Sequence, residues 1–186
     1  MGIPKSRRAT YADLVALPDH VVGEILGGEL IVSPRPSVPH ARASSRLTIS
    51  VGGPFDRGLG GPGGWVILDE PELHLGPDVL VPDLAGWRRE RMPVLPDEAF
   101  FTVAPDWICE VLSPSTERID RARKLALYAH AGVAHAWLLN PSTQTLEVLC
   151  RDGEEWRLRA VHEGDARVRA EPFDAIELEL APLWER

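Results

Sequence analysis

At 186 residues, with 44% hydrophobic and 26% charged side chains, the chain has the composition of one globular domain able to bury a sizeable core. Lys and Arg number 20 against 28 Asp and Glu, so the net charge is −8. A field of that sign repels nucleic acid at long range and excludes a tight, non-specific DNA binder that lacks a local basic patch or metal ions. No apolar run approaches the roughly eighteen residues of a membrane-spanning helix. The opening MGIPKSRRATY has no apolar signal-peptide core, so a cytoplasmic protein is expected.

Residues 1–8 read as a flexible N-terminus and 9–186 as a single domain. The Met-Gly-x-x-x-Ser and Arg7-Arg8 matches to targeting signals are too short to carry weight. TYADLVALP sets Thr10 three residues before Asp13, the pattern of a capping box, and Pro18 ends the short helix. GEILGGELIVSP is two apolar runs split by Gly27-Gly28, a hairpin signal. A helix is predicted from Pro39 to about Ser50, then a glycine-rich loop over 52–64. PELHLGPDVLVPDLAGW reads as strand, Gly-Pro-Asp turn and strand, and 88–105 as loop. DWICEVL is a short apolar strand, followed by a helix from about Thr116 to Ala131. HAWLLNPSTQTLEVLCRDGEEWRLRA breaks at Asn140-Pro141 and Asp152-Gly153 into a three-stranded meander. The tail IELELAPLWER ends in an apolar segment. Strands interleaved with a few helices predict an α/β (α+β) sheet protein.

Two carboxylates stand where apolar side chains belong. Asp83 lies in VLVPDLAGW and Glu110 in DWICEVL, both runs apolar on both parities, as in strands buried on two faces. A buried carboxylate costs several kcal/mol unless it is paired, protonated or bound to metal. On neighbouring strands the two would converge as oxygen ligands for a hard cation such as Mg²⁺ or Mn²⁺. The plainer alternative places each at a strand end, reaching solvent or capping a helix. Lys124 shares a helical face with Asp120, Leu127, Tyr128 and Ala131, and its turn lies nearest the SPST loop after Glu110. It either returns to the carboxylates or forms a surface pair with Asp120 worth about 0.2–0.5 kcal/mol.

Glu24, Glu29 and His40 are weaker candidates. The six histidines have no zinc-binding spacing, and Cys109 and Cys150, without a Cys-x-x-Cys, read as reduced packing residues. Ser113 and Ser115 lie in no nucleophile elbow, and no phosphate-binding glycine loop follows a strand.

YADLVALP, GEILGGELIVSPRPSVPH, VPDLAGW, ICEVLSPSTERIDRARKLALYAHAGVAHAWLLNP and LEVL occur in the order typical of the Uma-two family. The chain resembles that family over roughly 9–180. The resemblance implies a restriction-endonuclease-like core of the PD-(D/E)xK superfamily, a central mixed β-sheet flanked by helices. It implies that Pro82-Asp83 is the PD element, that Glu110 is the second metal-binding acid, and that Lys124 replaces the lysine usually found two residues after that acid, where Leu112 stands. The implied activity is a phosphodiesterase dependent on Mg²⁺ or Mn²⁺, a DNA endonuclease with catalytic Asp83, Glu110 and Lys124 and accessory Glu29, His40 and Asp120. Lys124 would orient the attacking water or offset charge on the phosphate. Arg118, Arg121 and Arg123 would take flanking phosphates or form a solvated face. The alternative is a catalytically silent binding or regulatory module, which the net charge favours. A homodimer is expected, with the tail from Leu180 to Trp184 as one candidate interface.

Overall fold

A computed structural model describes residues 7–185. Its frame is a six-stranded mixed sheet in the order β10-β9-β8-β7-β6-β3. These strands span Trp65–Asp69 (β3), Leu84–Arg88 (β6), Trp107–Val111 (β7), His135–Asn140 (β8), Thr145–Asp152 (β9) and Glu155–Glu163 (β10). Only β7 and β8 run parallel, joined through the helical segment between them. A four-stranded sheet, β2-β1-β5-β4, is built from Val21–Leu26 (β1), Glu29–Pro34 (β2), Leu73–Leu75 (β4) and Asp78–Leu80 (β5). A two-stranded ladder of Arg167–Val168 (β11) and Leu178–Glu179 (β12) lies near the C-terminus.

The hairpin predicted at Gly27-Gly28 forms, and both glycines have positive φ (62° and 83°), as the tight turn between right-twisted strands requires. The meander forms as β8, β9 and β10. The capping box is present at the short helix Tyr11–Val15 (α1), where the Thr10 N–H donates to Asp13 Oδ2 at 2.8 Å. The Met-Gly-x-x-x-Ser pattern lies outside the described residues.

Each face of the large sheet buries its own core. On one side Val38–Val51 (α2) sets Ala43, Leu47 and Val51 over Trp107, Cys109 and Val111. Phe173 inserts between Trp65, Trp107 and Trp137 with ring centroids 4.8–5.5 Å apart. On the other side Leu125–His130 (α4) and the four-stranded sheet cover Ile108, Leu112 and Leu138. The apolar tail forms Ala181–Trp184 (α5) and buries Leu180 and Leu183 against its own core.

The helix expected over 116–131 is interrupted. Glu117–Ile119 (α3) passes into a π-helical turn over Asp120–Lys124 before α4, and the Leu125 N–H reaches back five residues to the Asp120 carbonyl. One extra residue in a turn rotates the downstream helix by about 100°. The residues buried on the sheet are Leu125, Tyr128 and Ala129, whereas the sequence periodicity selects Leu127, Tyr128 and Ala131, so Tyr128 is common to both and Leu127 is only partly buried.

Candidate active site

A cavity of about 330 Å³ opens where β1, the β2–α2 connection, the residues before β6, the end of β7 and the segment from Ser113 to Lys124 meet. Strand β7 explains how a carboxylate arrives there. Trp107, Cys109 and Val111 face the α2 side, while Ile108 and Leu112 face α4. Glu110 has the parity of the second set, so alternation drives it into the core face at 2% exposure. The Tyr128 hydroxyl donates to its Oε1 at 2.7 Å, and Lys124 Nζ lies 2.9 Å from the same oxygen.

Lys124 is buried with its ammonium surrounded by acceptors. Nζ is 2.9 Å from Glu24 Oε1 and 3.9 Å from Asp120 Oδ1, and it donates to the Val81 carbonyl at 3.2 Å. Glu24 comes from the centre of β1, in the other sheet, and its Oε1 also accepts from the Val81 N–H at 2.8 Å. Asp83 does not lie inside a doubly buried strand as expected. It precedes β6 by one residue and its side chain keeps 16% exposure. Because Leu84 pairs with Cys109, continuing that antiparallel register sets Asp83 across from Glu110. The Val111 N–H donates to Asp83 Oδ2 at 2.7 Å, and His40 Nε2 from α2 stands 3.3 Å from Oδ1.

The electrostatics follow from burial and crowding. Burial raises Glu110 well above the usual carboxylate range; Lys124 opposes that rise, and Asp120, Asp83 and Glu24 add to it. Burial likewise pushes Asp120 up to about 6 against the pull of Lys124. For Lys124 burial favours the neutral amine, but Glu110, Glu24 and Asp120 outweigh it and hold the ammonium charged. His40 follows the same pattern: burial lowers it, yet the hydrogen bond and charge of Asp83 bring it above its ordinary value. The well-buried groups lining the cavity are thus four carboxylates, Glu24, Asp83, Glu110 and Asp120, against one ammonium and one imidazole. An oxygen-rich set with surplus negative charge has the chemistry to hold a hard divalent cation.

Six of the expected residues converge: Asp83, Glu110, Lys124, His40, Asp120 and Glu24. Glu29 does not. It pairs across the hairpin with Leu26, while Glu24 pairs with Ile31, so Glu29 lies two positions, about 7 Å, nearer the tip. There its exposed carboxylate is 2.9 Å from Arg123 Nη1. Glu24, one of the weaker candidates, takes the place expected of Glu29, and Val22, Ile25 and Leu26 make it another acid inside an apolar run. Arg123 also donates to the Leu26 carbonyl, and Arg121 is bound to Glu117 and Glu147, so these two arginines are engaged within the protein. Arg118 is exposed. Arg35, exposed at the cavity mouth in SPRPSVPH, is a basic residue that no motif marked.

With this geometry in place, a family model described as "Putative restriction endonuclease", Uma2, matches residues 10–182. The chain belongs to the Uma2 family. No curated protein matches it. Among solved structures it is similar to "a putative nuclease belonging to DUF820" from Anabaena variabilis ATCC 29413. The identity is 23%, the TM-score 0.75, and the match covers 95% of this chain and 97% of that one. At that identity the likeness speaks for the fold, which is the mixed sheet with few helices expected of this Uma2 chain.

Proposed function

We propose that the Uma2 cavity is the active site of a divalent-metal-dependent phosphodiesterase, a DNA endonuclease of the PD-(D/E)xK type. The observation that carries this reading is a charged lysine held between two buried glutamates, beside two further carboxylates, in a cavity open to solvent. Asp83 and Glu110 would hold Mg²⁺ or Mn²⁺, with Asp120 and Glu24 adding negative charge close by. A bound ion of this kind polarises the scissile phosphate and acidifies the attacking water. The chain's own residues supply the rest. Lys124, kept protonated by its neighbours, orients the water or offsets charge that builds on the phosphate. His40 and the Val111 N–H fix both oxygens of Asp83, and Tyr128 fixes Glu110. Arg35 and the hydroxyls of Ser113, Ser115 and Thr116 line the approach for substrate phosphates.

Cleavage of plasmid and oligonucleotide DNA with Mg²⁺ or Mn²⁺ tests the assignment, beside thermal melts. Wild type should nick DNA and gain melting temperature with the ion. Asp83→Asn and Glu110→Gln should lose both, and Lys124→Ala should lose cleavage while keeping an ion-dependent shift. Equal Mn²⁺ shifts in wild type and both acid variants would refute the site. The net charge of −8 and the engagement of Arg121 and Arg123 favour a binding module instead. A normal ion shift without cleavage of any nucleic acid would decide for it.

A further inference from the structure

A second cluster of ligating side chains lies beyond the acidic cavity. His135 opens β8, and Cys150 is its direct partner in the β8–β9 register, so both side chains emerge on one face of the sheet. Glu171 joins them from the segment after β11. Its position is set by its own backbone, since the Trp137 indole Nε1–H donates to the Glu171 carbonyl at 2.7 Å. Trp137 lies two residues along β8 from His135, so the strand that presents the imidazole also anchors the glutamate.

The three ligand atoms lie within 4.8 Å of one another. Cys150 Sγ is 3.4 Å from His135 Nδ1 and 3.1 Å from Glu171 Oε2. Ligands at the usual Zn–S, Zn–N and Zn–O lengths on a tetrahedral ion stand about 3.3–3.6 Å apart, so the two Cys150 separations need changes of a few tenths of an ångström, while the imidazole and the carboxylate start within 4.8 Å of each other. The other oxygen, Glu171 Oε1, faces Arg159 Nη2 at 3.8 Å, which holds the carboxylate without occupying Oε2. We propose that His135, Cys150 and Glu171 form a binding site for a borderline transition-metal ion of the Zn²⁺ class, three protein ligands leaving a fourth position open to water.

The donor sets sort the metals. Sulfur and imidazole nitrogen select Zn²⁺ or Co²⁺, whereas the all-oxygen cavity suits Mg²⁺ or Mn²⁺. The ligands come from two strands and a distant segment, which is why no spacing motif marked them and why Cys150 read as a packing residue. A bound ion would pin the Glu171 segment, and with it Phe173, against the tryptophans on the α2 side of the sheet.

Cobalt titration of the 186-residue chain provides the test. One equivalent of Co²⁺ should produce a thiolate-to-cobalt charge-transfer band with tetrahedral d–d bands, and one equivalent of Zn²⁺ should displace it. Cys150→Ser should abolish the band, and His135→Ala should weaken binding by at least the roughly 10–100-fold that changes outside the ligands themselves cause. Absence of a charge-transfer band in wild type, or its persistence in Cys150→Ser, would overturn the site. Should Cys150→Ser fail to fold, thiol labelling of wild type answers instead. Cys150 is partly exposed and Cys109 is buried, so Zn²⁺ should slow labelling at least about tenfold, and an unchanged rate overturns the proposal. Mg²⁺-dependent cleavage does not enter these readouts, so this site and the nuclease reading stand or fall separately.

Discussion

Replacing Asp120 by Asn should stabilise the metal-free protein, opposite in sign to most buried substitutions. The Asp120 side chain is 6% exposed and its carboxyl titrates near 6 where an ordinary aspartate titrates at 3.8. A carboxylate whose folded pKa is raised binds protons more tightly in the folded state. Stability is therefore full below the unfolded pKa and falls as pH rises between about 4 and 6. The difference of roughly two units is worth about 3 kcal/mol of lost stability at pH 8 and about 1.6 kcal/mol at pH 5. An asparagine keeps an acceptor for Thr116 and carries no charge, so Asp120→Asn should recover up to those amounts. Urea unfolding at pH 5 and pH 8 in chelator reads the difference directly from the midpoints. Saturating Mn²⁺ should shrink the advantage, because an ion relieves the same repulsion. No gain at pH 8, or the same gain at both pH values, would refute the reasoning.

Lys124→Ala leaves Glu24 and Glu110 without their shared ammonium, and a broken buried ion pair costs about 3–5 kcal/mol. Urea midpoints at pH 8 should show that loss, reduced at pH 5 as the acids take up protons. Tyr128→Phe removes the hydroxyl donor to Glu110 and should cost about 1–3 kcal/mol in the same measurement without changing the fold by circular dichroism. His40 should titrate above its ordinary 6.5 in nuclear magnetic resonance spectra of the metal-free protein, so its contribution to stability is complete below 6.5 and fades as pH rises through the folded value. In Asp83→Asn the hydrogen bond and charge that oppose burial are lost, and the His40 titration should fall relative to wild type.

Much of this architecture was legible because local signals agreed with one another. The Gly27-Gly28 turn, the three-stranded meander and the alternation of β7 each follow from period-two patterns bounded by turn residues, which tertiary packing did not contradict. Glu110 was legible for the same reason, since a charge in a strand with apolar residues on both parities has few solutions. What escaped depends on contacts between distant segments. The π turn at Asp120–Lys124 leaves no mark in composition, yet it rotates α4 and changes which helix residues meet the sheet. Glu24 and Glu29 look alike as flanks of a turn, and only the distance of each from the hairpin tip separates the buried acid from the exposed one. Arg121 and Arg123 suggest a phosphate surface in the sequence, but Glu147 and Glu29 stand opposite them in the fold.

On the proposed nuclease reading, an acidic cavity in a protein of net charge −8 would have to admit a polyanion, and the lysine alone would not draw one in. Its ammonium already lies 2.9 Å from both Glu24 and Glu110, so the metal-free site offers a phosphate more repulsion than attraction. On the same reading Asp83 and Glu110 would hold a divalent ion, which would offset surplus carboxylate charge, and Lys124, kept by Glu24, would remain able to face substrate. Metal loading should therefore precede nucleic-acid binding, and the order is measurable. Fluorescence anisotropy with a labelled duplex should show weak binding in chelator and at least tenfold tighter binding in Ca²⁺, an ion used to support binding with little turnover. Glu24→Gln should keep the ion-dependent melting shift but lose cleavage, because it loosens the residue that positions Lys124 without removing the proposed ligands. Equal DNA affinity with and without the ion, or undiminished cleavage by Glu24→Gln, would show that the lysine and the metal do not divide the site in this way.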